Sequence, residues 1–334
     1  MAYINGEKVL FSSNIIDGNG YYNKEETAEM LDSKADKVNE AIENNLASLD
    51  ANGNLKDSGI NTYAVKRLCN PNLLINPDFR INQRGFTTYN TEQYTVDRWK
   101  NENSYGTVTK TDTGITFSAS GGEAYLTQRM ETHERLVGKE LTLSISINGE
   151  VYSNSGTLTD TAGSQFAIST GLNGVSVYVY SYTSGQFTPT IMLKSGTSIS
   201  IEWVKFEVGS YATPYSPRPY AEELLLCQRY FRTYSSPSNI FISTGLSNGS
   251  IVYFPVLLEV PFRVTPTIDW GNINMYDGTA GSQVVITSLA IYNSIATNFK
   301  NAFVFAASAS TTAKGTYLLR LLASSWLNLD AEIY

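Results

Sequence analysis

The sequence predicts a mainly β protein, with two β-sandwich, jelly-roll-like domains behind a short N-terminal helical coiled-coil stalk. Three observations predict it. Apolar residues alternate with Ser, Thr and Tyr in short runs, and dipeptides such as Asn148-Gly149, Asn248-Gly249 and Asp277-Gly278 separate the runs. Charged residues make up only 16% of the 334 residues, against roughly a quarter in an average soluble protein. Hydrophobic residues make up 42%, enough to fill cores of ordinary size for about two domains.

Residues 1–22 hold the short apolar groups Val9-Leu10-Phe11 and Ile15-Ile16 and the turn Asp17-Gly18-Asn19-Gly20. A segment this small cannot bury a core alone and is read as one that attaches to a partner. Residues 23–50 read as helix, with Ala28, Leu31, Ala35, Val38, Ile42 and Leu49 at heptad spacing and Asn45 at a core position. Three heptads support either a stalk between copies of the chain or one amphipathic helix packed on a domain. Residues 51–68 are a turn-rich linker. Asp50, Asn52 and Asn54 have the spacing of an opening calcium loop, but Leu55 stands where that loop needs glycine.

Residues 69–210 read as the first sandwich, carried by Leu141, Leu143, Ile145 and Ile147 and by Val175, Val177 and Val179. The apolar phase of Ile199, Ile201 and Trp203 then shifts to Val204, Phe206 and Val208, which predicts a β-bulge. Pro214, Pro217 and Pro219 make a stiff extended stretch, followed by a short helix with Glu222 and Glu223 near its start and Arg229 near its end. The rest of 211–334 reads as a second sandwich.

The inventory argues against several chemistries. Cys69 and Cys227 lie far apart and form no disulfide framework, so buried thiols are expected. His133 is the only histidine, in a polar stretch without a nucleophile motif. No cluster suits zinc and no loop suits a nucleotide phosphate, so neither metal nor cofactor is expected. A net charge of −7 without basic clusters argues against nucleic acid, and no apolar stretch reaches membrane-spanning length. The N-terminus lacks a basic region followed by an apolar one, so no secretory leader is expected.

Two blocks stand apart. One is Asn72 to Gly85 with Tyr94-Thr95-Val96-Asp97-Arg98-Trp99; the other runs from Trp203 to Ser210 and from Glu222 to Phe231. Asp78 and Asp97 would be the best carboxylate pair for glycosidic chemistry. Arg80, Arg84 and Arg98 stand beside them, which favours ionised, salt-bridged carboxylates over a proton donor. Trp99 then packs behind that network, and Gln228 and Arg229 read as a junction clamp. Candidates for ligand contact are the aromatics near predicted turns and strand ends of the last domain: Trp270, Tyr276, Tyr292 and Trp326.

These blocks, with Val260 to Thr267 and Leu329 to Ile333, resemble those of bacteriophage and prophage tail-fibre or receptor-binding proteins. The likeness covers residues 70 to 334, most specifically Phe79 to Gly85, Val96 to Trp99 and Glu223 to Phe231. It implies a homotrimeric virion adhesin assembled in the host bacterial cytoplasm, held to tail or baseplate proteins by its N-terminus. It also implies a carbohydrate-binding-module-like middle domain, a distal C-terminal tip, host polysaccharide as partner, and no catalytic residues. The rival readings are a structural virion fibre, baseplate or head-decoration protein and, less favoured, a polysaccharide depolymerase.

Overall fold

A computed structural model describes residues 2–4, 7–9, 14–17, 20–23, 42–52, 55–62, 70–131, 134–182, 186–292, 302–309 and 313–334. The chain divides into two compact units, Met1–Cys69 and Asn70–Tyr334. Among the described residues, the first unit contains three antiparallel pairs: β1 (Ala2–Ile4) with β2 (Glu7–Val9), β3 (Asn14–Asp17) with β4 (Gly20–Asn23), and β5 (Asn45–Leu49) with β6 (Leu55–Asn61).

The last of these pairs corrects the end of the expected stalk, over residues 45–49. Asn45 lies on a strand, and its side-chain amide donates to both carboxylate oxygens of Asp57 at 2.8 and 3.0 Å. Leu49, expected in a helical seam, is a strand residue that is 63% exposed. Asp57 also accepts from the Ile42 and Gly59 backbone, which lowers its pKa. These local bonds favour a strand over helix at residues 45–49. Residues 24–41, with the other heptad positions, lie outside the described residues. Asn52 donates its backbone N–H to Asp50, so that segment is a turn closed by its own side chain.

The second unit begins with strands β7 (Thr88–Tyr89), β8 (Gln93–Tyr94), β9 (Lys100–Asn101), β10 (Gly106–Thr111), β11 (Gly114–Ala119) and β12 (Ala124–Thr127). It continues with β13 (Glu140–Ile147), β14 (Glu150–Thr157), β15 (Gln165–Ile168), β16 (Val175–Ser181), β17 (Phe187–Leu193) and β18 (Ser198–Val208). They form two antiparallel six-stranded sheets, β14-β13-β18-β11-β10-β7 and β15-β16-β17-β12-β9-β8, around one shared core. Asn148 and Gly149 both take positive φ, 54° and 84°, as the tight turn between β13 and β14 requires. The predicted bulge falls at Glu202, where the pairing of β13 with β18 skips one residue.

β13 departs from simple alternation. Its apolar residues are buried, but so are Thr142, Ser144 and Ser146. The segment from Gly209 to Tyr215, which leads into the Pro-rich stretch, lies over part of the outer face of that sheet, and Ser146 bonds Glu202 there. Thr142 donates to Gly209 O at 2.7 Å, Lys205 Nζ to Pro214 O at 3.1 Å, and Trp203 stacks on Tyr215 at 4.8 Å. Stiff residues that exclude helix make a suitable strap.

The helix α1 (Tyr220–Gln228) leads to β19 (Phe231–Ser236), β20 (Ile240–Ser247), β21 (Ile251–Leu257), β22 (Thr267–Asp277), β23 (Ser282–Ile291), β24 (Ala302–Ala309) and β25 (Gly315–Asp330). This region is a closed barrel, not the second sandwich expected. The 16-residue β25 pairs with β20 and β19 along one edge and with β22 along the other, so first and last strands meet. Bulges in β20, β22 and β23 bend the wall. Its core includes Phe254, Phe305, Leu319, Leu321, Leu327 and Leu329. An alternating pattern fits a sandwich and a barrel equally well; closure depends on strand length and bulges.

Among the described residues, no helix is long and apolar enough to cross a membrane. Cys227 is free and buried, with its thiol pKa pushed well up by burial. Cys69 and His133 lie outside the described residues.

Candidate functional site

The two opening sequence blocks meet where the sandwich adjoins the barrel. Asn76 organises the first: its amide donates to Ile81 O and Asp97 O at 2.8 and 3.0 Å, and its oxygen accepts from Ile81 N. Trp99, fully buried, donates its indole N–H to Asn76 O at 2.9 Å and packs on Phe79. Phe79 and Arg98 hold φ of 60° and 71°, conformations that cost a bulky residue energy and persist only where surroundings over-determine them. Asp78 pairs with Arg80 at 3.4 Å.

The second block locks onto the first through carboxylates distant in sequence. Glu223 of α1, fully buried, accepts from Asn76 N at 2.6 Å and pairs with Arg218 at 3.0 Å. Glu131 takes Arg229 at 2.6 Å and the Tyr230 hydroxyl at 2.7 Å. Partial burial pushes the Glu131 carboxyl up, but those hydrogen bonds outweigh it and hold its pKa low. Gln228 accepts from Arg232 at 3.2 Å. Arg98 turns away from its neighbour Asp97: it binds Glu332, donates to Arg129 O at 2.6 Å, and lies 3.7 Å over the Tyr230 ring.

Asp97 is therefore served by Arg84 at 3.4 Å and by Gln83 N at 2.9 Å. Burial raises its pKa to about 6, against the pull of Arg84. This reverses the direction that the arginine neighbours suggest, because desolvation exceeds their attraction. Arg84 is shared further, lying 3.5 Å from Glu332 and 3.8 Å from Asp330, with its guanidinium 3.8 Å over Phe231.

Beside this junction opens a cleft of about 900 Å³. One wall is the sandwich segment 83–94, with Phe86 63% exposed. The floor is the outer face of three paired barrel strands, β19, β25 and β22. Pairing sets three rows across it: Phe231–Asp330–Thr267, Thr233–Asn328–Asp269 and Ser235–Trp326–Gly271. Tyr334 closes one end, with its hydroxyl donating to Asp330 at 2.6 Å.

Trp326 is the most pre-organised group in the cleft. Its indole lies across Gly271, where an added Cβ would come within 2.4 Å of the six-membered ring. Its Nε1–H donates to Asp269 at 3.0 Å, and Asn328 donates to the same oxygen at 3.3 Å. The side chain is nevertheless 43% exposed. A flat aromatic surface with carboxylate and amide groups along its edge can stack on an apolar sugar face and bind its hydroxyls.

The chain matches no protein-family model and no curated protein.

The four aromatics singled out from sequence do not gather into one site. Trp270 faces the opposite side of β22 from Gly271 and packs against the barrel core. Tyr276 meets Phe241 edge-on at 6.0 Å, and Tyr292 meets Tyr253 at 5.0 Å. Of the four, only Trp326 lines the cleft. Sequence reasoning missed Phe86, Asp269, Asn328 and Tyr334. The one available signal was Gly271, a glycine inside a strand, which often marks close approach by another group.

Proposed function

We propose that this chain is a receptor-binding adhesin of the phage or prophage tail-fibre type. It binds a bacterial surface glycan in the cleft between sandwich and barrel. The observation that carries the reading is Trp326, held flat over Gly271 and hydrogen-bonded at its edge while its side chain stays substantially exposed. The resemblance of the two sequence blocks to tail-fibre proteins supports the biological setting: a virion protein, attached through its N-terminal region to tail or baseplate proteins. Association into a homotrimer belongs to the same proposal. Three weak sites on one particle would gain on the order of a hundred-fold to ten-thousand-fold in avidity.

The reading is one of binding without chemistry. Asp97, the buried carboxylate of the framework, is enclosed by Arg84 and the Gln83 backbone. The test is adsorption of the purified chain to a panel of bacteria, with competition by their envelope polysaccharide. Saturable adsorption lost in Trp326→Ala supports the proposal. Adsorption to no strain would favour a purely structural fibre, and new reducing ends released from polysaccharide would favour a depolymerase. A solution mass equal to one chain would remove the trimer.

A further inference from the structure

The cleft's lining is weighted toward carboxylates, and that imbalance points to the chemical class of its ligand. Its donors are mostly turned to protein acceptors. Asn328 Nδ2 donates to Asp269, Trp326 Nε1 to Asp269, Gln83 Nε2 to Phe231 O at 2.7 Å, and Thr233 Oγ1 to Asn328 Oδ1 at 2.8 Å. The one arginine, Arg84, has a side chain only 10% exposed, pinned among Asp97, Asp330 and Glu332 and covered by Phe231. Three carboxylates line the cleft, those of Asp269, Asp330 and Glu92. Asp330 accepts from Glu332 N and the Tyr334 hydroxyl, Glu92 meets Lys100 at 3.3 Å, and Asp269 takes both of its bonds on Oδ2.

A ligand here must therefore tolerate negative charge, and it can donate to the Asp269 edge. Sugar hydroxyls and amines do both. A uronate, sialate or phosphate adds like charge inside a recess with low-dielectric walls.

Resting on the glycan-binding reading above, we propose that the cleft selects non-acidic glycans. The sugar stacked on Trp326 carries no carboxylate or phosphate and gives its hydroxyls or amine to the Asp269–Asn328 edge. Discrimination comes from the acidic lining as much as from stacking.

The experiment uses the full chain on an array of bacterial and synthetic oligosaccharides arranged as matched pairs. Each neutral or amino-sugar member faces the same structure bearing a uronate, sialate or phosphate. The expected result is binding of non-acidic members, with acidic partners at least ten-fold weaker. Raising salt from about 0.05 M to 0.5 M should narrow that gap as screening shortens the reach of the carboxylates. Asp269→Asn should narrow it as well, and the salt series stands alone if that variant folds poorly. Acidic members bound as well as their partners, in a manner lost with Trp326→Ala, would overturn this inference and leave the adhesin reading intact. Absence of any Trp326-dependent binding across the array would overturn both.

Discussion

The junction and the cleft lie side by side and share Arg84, Tyr94, Phe231 and Asp330, yet they are built on opposite rules. At the junction, charges are buried and matched: Arg98 with Glu332, Arg218 with Glu223, and Asp97 with Arg84 and a backbone N–H. In the cleft, the rings of Phe86, Trp326 and Tyr334 are exposed beside carboxylates that line its walls. The difference separates holding from binding. Buried ion pairs fix the barrel against the sandwich; exposed rings and an acidic edge are left to recognise. Arg84 stands on the boundary, with its charge spent on the junction and its side chain forming part of the cleft wall.

Substitutions can break this contrast, and the largest effect belongs to the junction. Arg98→Ala leaves the buried Glu332 carboxylate with Arg84 alone at 3.5 Å, and breaking a buried pair typically costs about 3–5 kcal/mol. Urea denaturation should show that loss in the midpoint, and glycan binding should fall with it because one wall of the cleft is no longer held.

A second test uses pH. The folded chain holds Asp97 protonated up to about pH 6, whereas an unfolded aspartate releases its proton near 3.8. This contribution to stability is full below about pH 4 and is lost as pH rises through 6. Asp97→Asn should remove that component, a difference of roughly 3 kcal/mol at most. Thermal melts of both proteins from pH 4 to 7 would measure it. Parallel curves would place the titration elsewhere.

How legible the two regions are in the sequence follows from the same contrast. The framework blocks stand out because Asn76, Trp99 and Arg98 occupy specialised positions, but their partners do not. Arg98 and Glu332 are 234 positions apart, and nothing local in Glu332 identifies it as a buried counter-ion. The alternating strands are readable, as is the Asn148-Gly149 turn. Barrel closure is not, because both architectures bury every second residue. The heptad register misleads at Asn45, where two hydrogen bonds to Asp57 favour a hairpin. In the cleft, Trp326 is visible as an aromatic, but Trp270 looks equivalent until strand pairing puts them on opposite faces.

Cleft substitutions should cost binding more than stability. Gly271→Val places a side chain where the Trp326 ring now lies. The strain expected is about 1–3 kcal/mol, with glycan affinity falling at least ten-fold as the indole is displaced. Calorimetric titration alongside a melt separates the two effects. Trp326→Ala is the mildest for the fold, since the ring is substantially exposed: about 1 kcal/mol or less in stability, but a similar loss of affinity. A Trp326→Ala protein that melts early and still binds would reverse the roles assigned to the two regions.

The most direct measurement is the amide hydrogen-exchange footprint of a bound host oligosaccharide on the full chain. Protection is expected at once in the sandwich segment 83–94 and in barrel residues 267–271 and 326–334. Protection confined to the outer sheet of the sandwich, or to the far side of the barrel, would contradict a binding site shared between them.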